Sequence, residues 1–254
     1  MPETALVTGA SSGIGEQFAR QLAIRGYELV LVARRIDRLG RLASELPTEA
    51  HAVPCDLATD SASLQGRVAE LGLGVDLLVN NAGFGTSGPF LEHEAARDAE
   101  LVRINCEAIV TLTHAFLPAM VERGRGGIIN MASSAGLQPI PYESVYAASK
   151  AFVISFTDAL HVELRGSGVH VLGVNPGPVP TEFQEAAGYE PGRTGVVPGE
   201  ISAEQVVREA LAAYDRGRRS VIPGRTIRWF IRATRPSPRA IQLRVTERMY
   251  RPPR

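Results

Sequence analysis

Lysine occurs once in this chain, and it follows a tyrosine at a spacing that could do chemistry. Of 27 lysine and arginine residues only Lys150 is a lysine, and Tyr146 stands four positions before it. Residues four apart share one face of a helix, and an ammonium group beside a phenol favours loss of the phenol proton. The pair could therefore act as an acid/base near neutral pH. The alternative is an amphipathic helix with two unrelated polar residues, since such pairs are common.

A glycine-rich segment lies near the N-terminus, directly after the apolar run Ala5–Val7 and directly before a helical stretch. Its pattern is G-x-x-x-G-x-G within Thr8–Gly15. A turn of this kind lets backbone N–H groups approach a pyrophosphate, which the positive end of the helix stabilises. The alternative is a tight turn that needs glycine for its own sake. We predict a dinucleotide-binding turn formed by Gly9, Ser11, Ser12, Gly13, Ile14 and Gly15.

Two arginines, Arg34 and Arg35, follow the second apolar run, Leu29–Val32. An NAD site usually has an acidic residue near this point to bind the ribose 2′-hydroxyl, whereas guanidinium groups suit a 2′-phosphate. The sequence therefore predicts NADP(H) in preference to NAD(H). The alternative is a solvated helix start whose arginines are free in water or neutralised by Asp37.

Apolar runs alternate with helical stretches along the rest of the chain. Apolar strands between helices indicate a parallel sheet covered on both faces, so we predict an α/β fold, a doubly wound Rossmann-type parallel sheet with helices on both faces. The segment Gly188–Glu200, rich in Gly and Pro, is predicted to be a mobile loop. Further strands are predicted at 52–53, 76–79, 127–131, 169–174 and 220–222, and helices at 14–24, 35–46, 61–71, 94–121, 144–165 and 202–215.

Composition limits the class of protein. The 254 residues, 44% of them hydrophobic, can form one large domain, and a net charge of zero gives no case for nucleic-acid binding. The longest apolar run, Ile109–Val121, is shorter than a bilayer span, and no signal peptide is visible. Cys55 and Cys106 form no ligand spacing or disulfide framework, and the histidines show no ligand spacing. We expect a cytoplasmic protein with no metal site.

The glycine-rich segment Thr8–Gly15 and the segment Tyr146–Lys150 together resemble the short-chain dehydrogenase/reductase family, in its compact single-domain branch. The resemblance also includes Asn80–Gly83 and Asn175–Gly177. It implies that Asp56 and its neighbour Leu57 lie near the adenine. It implies that Asn81 and Ala82 lie beside the adenosine ribose. The residues implied at the nicotinamide end are Pro176, Gly177, Val179 and Thr181.

The resemblance further implies a catalytic group of Asn105, Ser133, Tyr146 and Lys150. Tyr146 would exchange a proton with the substrate oxygen while hydride passes between the nicotinamide and the carbonyl carbon. Ser133, preferred to Ser134 because of its distance from the tyrosine, would hydrogen-bond that oxygen. Lys150 would lower the tyrosine pKa and hold the nicotinamide ribose, and Asn105 would anchor a water. Tyr146 and Lys150 thus belong to the cofactor site as well.

The expected function is hydride transfer between NADP(H) and a small hydrophobic ketone, aldehyde or secondary alcohol. Apolar residues in Phe84–Leu91, Leu137–Val145 and Phe183–Val197 suggest the hydrophobic substrate. One alternative is a 3-oxoacyl-carrier-protein reductase. An alternative of another class is a non-catalytic NADP-sensing regulatory protein. We also expect a homo-oligomer.

The C-terminal part of the chain has a charge balance of its own. Residues 216–254 contain twelve arginines and one acid, Glu247. We assign residues 1–224 to the Rossmann-type catalytic and dinucleotide-binding domain and residues 225–254 to an Arg-rich helical extension of that domain. Ile227, Phe230 and Ile231 recur at helical spacing among arginines, a pattern that could contact an anionic membrane. The alternatives are docking on the acidic body, on a neighbouring subunit or at the substrate mouth.

Overall fold

A seven-stranded parallel sheet forms the centre of the computed structural model, which describes residues 2–188, 200–234 and 237–251. The strand order is β3-β2-β1-β4-β5-β6-β7, and every neighbouring pair is parallel. This confirms the doubly wound Rossmann-type sheet predicted from the sequence. The strands are β1 (Thr4–Thr8), β2 (Glu28–Ala33), β3 (Ala50–Pro54), β4 (Val75–Asn80), β5 (Gly126–Met131), β6 (Val169–Val174) and β7 (Ser220–Val221).

Helices connect the strands and cover both faces of the sheet. The predicted helix at 94–121 is one continuous helical stretch that contains a π-helical segment, Arg103–Glu107. A 3-10 turn, Ser134–Leu137, follows β5. The α-helices are α1 (Gly13–Ile24), α2 (Ile36–Glu45), α3 (Leu64–Glu70), α4 (Ala95–Val102), α5 (Ala108–Glu122), α6 (Ser144–Glu163), α7 (Phe183–Ala186), α8 (Ala203–Tyr214), α9 (Arg225–Thr234) and α10 (Arg239–Tyr250).

The side chains of β1 show why its sequence is apolar throughout. Successive residues of a strand point to opposite faces. Ala5 and Val7 belong to the core cluster that contains α1, α2 and α8, whereas Leu6 belongs to the cluster on the other face with α3 and α5. Phe18 of α1 is fully buried on the first face, and burial of such a side chain contributes ~2 kcal/mol.

The order of the strands determines where a ligand can bind. The chain passes from β1 outward through β2 and β3, then returns to place β4 on the other side of β1. At such a reversal the connections leave in opposite directions and open a crevice at the carboxyl ends of the strands. The segments that follow β1 and β4 therefore face a common crevice.

Both C-terminal helices contact the body. Ile227 of α9 is 1% exposed and lies where a side chain on Gly177 would collide with it. Arg228 forms an ion pair with Glu209 at 2.9 Å, and Thr246 of α10 donates a hydrogen bond to a backbone carbonyl of the segment between β5 and α6. The division at residue 224 stays a prediction. Most of the predicted loop Gly188–Glu200, specifically residues 189–199, lies outside the described residues.

One helical stretch of the described chain, Ala95–Glu122, is long and apolar enough by length and composition to cross a membrane. The sequence analysis considered only its apolar part, Ile109–Val121, and expected no span. Leu112, Phe116 and Met120 of this stretch are buried in the core cluster beside the sheet. Core packing therefore accounts for much of its apolar character.

Candidate active site

A cavity of about 760 Å³ is lined by residues from the segments that follow strands β1 to β6. Parallel strands bring these segments to one edge of the sheet, although they are far apart in sequence. Two predicted site residues, Gly15 and Asn105, are buried and do not line the cavity. The predicted residues that line it are Gly9, Ser11, Ser12, Gly13, Ile14, Arg34, Arg35, Asp56, Leu57, Asn81, Ala82, Ser133, Tyr146, Lys150, Pro176, Gly177, Val179 and Thr181.

The turn between β1 and α1 has the form of a phosphate cradle. Gly9 and Gly13 have positive φ angles of 67° and 59°, which favour glycine. A side chain on Gly15 would place its Cβ 2.2 Å from the carbonyl oxygen of Gly9, so this glycine packs α1 against the turn. Ser12 caps α1 without a side-chain hydrogen bond to it. The first N–H groups of α1 have no partner within the helix, and the positive end of its dipole suits a pyrophosphate.

Arg35 lies at the same turn. Its guanidinium donates hydrogen bonds to the hydroxyls of Ser11 at 3.1 Å and Ser12 at 3.0 Å. It also forms an ion pair with Glu182 at 2.8 Å, and Arg38 contacts the same carboxylate at 2.6 Å. The two guanidinium groups hold the pKa of Glu182 at about 2, and the hydrogen bond from Arg38 is the largest cause. The acid that pairs with Arg35 is therefore Glu182, whereas the sequence analysis had considered Asp37.

Arg34 differs from Arg35 in its surroundings. Its guanidinium is 61% exposed and contacts Glu100 at 3.5 Å. Both arginines line the cavity, but only Arg35 is fixed by the hydroxyls of the glycine-rich turn. Arg35 and Arg38 are thus the cations best placed to meet a 2′-phosphate.

Tyr146 and Lys150 lie one turn apart on α6, and both are nearly buried, at 8% and 4% exposed. Lys150 Nζ donates a hydrogen bond of 2.9 Å to the backbone carbonyl of Met131, the last residue of β5. The same nitrogen is 5.9 Å from the centroid of the Tyr146 ring. Ser133 lies two residues after β5 and caps the next turn by accepting a hydrogen bond from Ala135 N. The sheet thereby brings serine, tyrosine and lysine to one wall of the cavity.

Asn105 lies behind this wall, in the π-helical segment, and is fully buried. Its amide nitrogen donates hydrogen bonds of 3.0 Å to the carbonyl of Phe84 and to the hydroxyl of Ser149. A side chain on Gly83 would place its Cβ 2.8 Å from Asn105 Oδ1 and 3.4 Å from Lys150 Nζ. Gly83 therefore packs closely against both polar groups, and a side chain at this position would not fit. π-helical turns occur frequently at functional sites.

Comparison with known proteins identifies the family. The family model described as short chain dehydrogenase matches residues 3–191. The chain belongs to the short-chain dehydrogenase family. It is 40% identical over 194 residues to sulfoacetaldehyde reductase 2 of Chromohalobacter salexigens, covering 72% of this chain and 75% of that protein. It is also similar to a solved short-chain dehydrogenase from Sphingobium yanoikuyae in complex with NADPH, with a TM-score of 0.81, 35% identity and 92% coverage of each chain.

A second curated relative has a different substrate name. The chain is 35% identical over 189 residues to the very-long-chain 3-oxoacyl-CoA reductase of Bos taurus. The match covers 71% of this chain and 61% of that protein, so the chain spans about three fifths of this relative's length. The family assignment makes the protein an oxidoreductase.

Burial is the main influence on the electrostatics of Tyr146 and Lys150. Burial is the largest cause that raises the pKa of Tyr146, the hydrogen bond with Ser133 lowers it, and Glu143 raises it further. The Lys150 ammonium donates its hydrogen bond to the carbonyl of Met131, and the lowering of the tyrosine pKa by Lys150 stays a prediction. Burial also lowers the pKa of Lys150 to about 8. The raised pKa favours the protonated form of the phenol.

The substrate side of the cavity includes residues that the sequence analysis missed. Tyr250, at the end of α10, lines the cavity and packs against the cluster that contains Tyr146. Arg97 also lines the cavity, with its guanidinium 3.8 Å from the centroid of the Phe84 ring. Nothing in the local pattern identified these positions. Other charged cavity residues that the sequence analysis did not name include Arg38 and Glu182.

The substrate segments predicted from the sequence contribute unequally. Phe84 and Phe183 line the cavity, and Phe183 also packs against Tyr146, with ring centroids 5.5 Å apart. Ile140 is buried in the cluster behind the wall and does not line the cavity. Part of the third segment, residues 189–197, lies outside the described residues.

Two further groups do not line the cavity. Cys106 is half-buried, and burial raises the pKa of its thiol, as expected for a core cysteine. Among the described residues, Glu28, Glu49 and His51 are close enough to share a metal ion. They lie at the amino ends of β2 and β3, away from the cavity at the carboxyl ends. The absence of a metal site stays a prediction.

Proposed function

We propose that this protein is an NADPH-preferring carbonyl reductase or alcohol dehydrogenase that acts on hydrophobic ketones, aldehydes or secondary alcohols. The observation that carries the proposal is the position of Ser133, Tyr146 and Lys150 in the same cavity as the glycine-rich turn and Arg35. Phe84, Phe183 and Tyr250 give the other end of that cavity an apolar lining, which suits a hydrophobic substrate.

The side chains have distinct roles in this proposal. The bound nicotinamide cofactor would supply or accept hydride. Ser133 donates a hydrogen bond to the substrate oxygen and stabilises the charge that develops there. Tyr146 donates its proton to the same oxygen in the reductive direction and removes it in the oxidative direction. Lys150 supplies positive charge beside the phenol, and Asn105 fixes the wall behind Lys150 by its bonds to Phe84 and Ser149.

Cofactor residues follow the same cavity wall. Gly9, Gly13 and the start of α1 would hold the pyrophosphate through their backbone N–H groups. Glycine is required at both positions because another side chain would strain the turn. Arg35 would hold the 2′-phosphate together with Arg38. The name of the Sphingobium relative, which was solved with NADPH, supports the same preference.

The proposal is tested by measuring kcat/KM for a panel of ketones, aldehydes and secondary alcohols with NADPH and NADH. We expect turnover of hydrophobic ketones with a clear preference for NADPH. Tyr146→Phe should lower kcat by about 100-fold or more, because it removes the acid, and should leave NADPH binding intact. The control is Tyr27→Phe, which lies outside the cavity. Retained turnover in Tyr146→Phe, or a preference for NADH, would overturn the corresponding part of the proposal.

Reduction of a 3-oxoacyl group is the second candidate. It is favoured by the similarity to the bovine 3-oxoacyl-CoA reductase and by Arg97, a cation that lines the cavity. Comparing 3-oxoacyl thioesters of CoA and of acyl carrier protein with simple ketones separates the two. A thioester preferred by about tenfold or more in kcat/KM would make oxoacyl reduction the main activity.

A non-catalytic NADP sensor needs no proton donor, and the buried Tyr146 beside Ser133 and Lys150 counts against it. Turnover in the same panel would exclude it.

Cytoplasmic location and homo-oligomeric assembly remain part of the proposal. Size-exclusion chromatography with light scattering tests the second of these.

A further inference from the structure

The outward face of α9 carries arginines on both sides of a tryptophan. Arg225, Trp229 and Arg232 are spaced four and three residues apart, so they share one face of the helix. All three are exposed, and Trp229 is 70% exposed. The opposite face contains the buried Ile227, which anchors the helix on the body. The exposed tryptophan is therefore not needed for the packing of α9.

α10 repeats this arrangement with aliphatic side chains. Ile241, Arg244, Val245 and Arg248 lie at successive positions of one helical face, and all are exposed. The two aliphatic side chains are 50% and 47% exposed. Thr246, on another face, is buried against the body. The solvent-exposed face of α10 thus consists of two aliphatic and two cationic side chains.

Arginines on these faces differ from those of the body in their charge partners. Most described arginines before residue 225 form ion pairs with acidic side chains. Within the described part of the chain, no acidic side chain pairs with the exposed arginines of α9 and α10. These arginines are Arg225, Arg232, Arg239, Arg244 and Arg248. Their charge is available to an external anionic surface.

We propose that the outward faces of α9 and α10 form a docking surface for an anionic lipid bilayer. Arginine guanidiniums bind lipid phosphates and carboxylates, while tryptophan and aliphatic side chains enter the boundary between headgroups and acyl chains. A nucleic acid would match the positive charge but would offer no apolar layer to Ile241 and Val245. An acidic protein surface with apolar residues of its own is the competing occupant, and it predicts no binding to vesicles.

The position of α10 connects this surface with the cavity. Its exposed face carries Ile241 and Val245, and its last residue, Tyr250, lines the cavity beside Tyr146. If the proposed function holds, a hydrophobic substrate dissolved in the bilayer would be held close to the enzyme that reduces it. Lipid binding itself does not depend on turnover, so the two proposals can fail separately.

Vesicle cosedimentation of the full chain tests the docking surface. The vesicles are phosphatidylcholine alone and phosphatidylcholine mixed with phosphatidylserine, each at low and high salt. We expect binding to the mixed vesicles at low salt, with at least about tenfold weaker binding for Arg244→Glu/Arg248→Glu, because basic residues near an anionic surface attract it and acidic residues repel it. Ile241→Ser/Val245→Ser should also weaken binding severalfold.

Matched controls change the same chemistry on the body. Arg41→Glu/Arg165→Glu makes the same charge change at exposed positions of α2 and of the segment after α6, and it should leave vesicle binding within twofold. Equal binding of the two double charge variants would assign the effect to net charge and overturn the proposal. The absence of binding to the mixed vesicles would do the same.

Light scattering and a soluble ketone complete the test. If Arg244→Glu/Arg248→Glu dissociates an oligomer and no form binds vesicles, the face is a subunit interface and the lipid proposal is wrong. Turnover of a water-soluble ketone by the same variant, measured without vesicles, reports on the proposed function independently.

Discussion

Glu182 forms ion pairs with Arg35 and Arg38, the two arginines that would bind the 2′-phosphate. Replacing its carboxylate with a neutral group should therefore strengthen NADPH binding. The Glu182 carboxylate pairs with Arg35 at 2.8 Å and with Arg38 at 2.6 Å. A 2′-phosphate has to displace this carboxylate or accept its repulsion. We therefore predict that Glu182→Gln lowers the dissociation constant of NADPH and leaves that of NADH nearly unchanged.

The size of the effect follows from the exposure of the pair. The Arg35 and Glu182 side chains are 41% and 48% exposed, so solvent screens their attraction despite the low pKa of Glu182. An exposed ion pair has a net value of up to about 1 kcal/mol, which corresponds to about a fivefold change in affinity. NADPH should bind up to about fivefold more tightly to Glu182→Gln.

Calorimetric titration with NADPH and NADH measures both constants. Glu45→Gln is the matched control, because Glu45 forms an ion pair of 2.6 Å with Arg20 outside the cavity. Unchanged NADPH affinity, or an equal gain for NADH, would show that the carboxylate does not compete with the 2′-phosphate. The refuted step would then be the assignment of Arg35 and Arg38 to that phosphate.

Three further predictions concern the turn, the lysine and the C-terminal tyrosine. Gly15→Ala should lower the free energy of unfolding in urea by about 2–3 kcal/mol, because its Cβ would meet a carbonyl oxygen at 2.2 Å. Gly40→Ala in α2, which meets no atom within 4 Å, should raise it by up to about 1 kcal/mol; equal effects would contradict the packing argument. Because burial lowers the pKa of Lys150 from 10.5 to about 8, the unfolded chain binds more protons between these values, and stability relative to Lys150→Met should rise with pH across that range. Urea unfolding of both proteins across this range measures the difference, and a constant difference would refute the lowered pKa. Tyr250→Ala should raise KM for a hydrophobic ketone severalfold, whereas Tyr250→Phe should change it little, since the ring supplies the apolar contact; equal KM values would remove Tyr250 from the substrate site.

Local patterns were sufficient to predict the seven strands, most of the helices and the turn. Apolar runs of strand length such as Leu29–Val32 correspond to real strands, because burial on both faces of a parallel sheet requires apolar side chains throughout. The turn at Thr8–Gly15 was predictable from its glycines, because glycine is the residue that fits the positive φ angles and the close approach of α1. The spacing of Tyr146 and Lys150 likewise required only the helical repeat.

Long-range contacts could not be predicted from local sequence patterns. Arg35 and Glu182 are 147 residues apart in sequence, and no repeat or motif connects them. The π-helical segment that carries Asn105 interrupts a stretch with an ordinary helical pattern. Such features depend on which elements become neighbours, and that is decided by the packing of the whole sheet.

The sequence by itself determined the order of strands and helices along the chain, the glycine turn and the types of the candidate site residues, since each depends on neighbours within a few positions. The tertiary structure decided the partners of those residues. It directed Lys150 to the carbonyl of Met131, placed Glu182 on Arg35 and brought Tyr250 into the cavity. The physical reason is that hydrogen bonds, ion pairs and desolvation depend on distances in space, which a linear pattern does not contain.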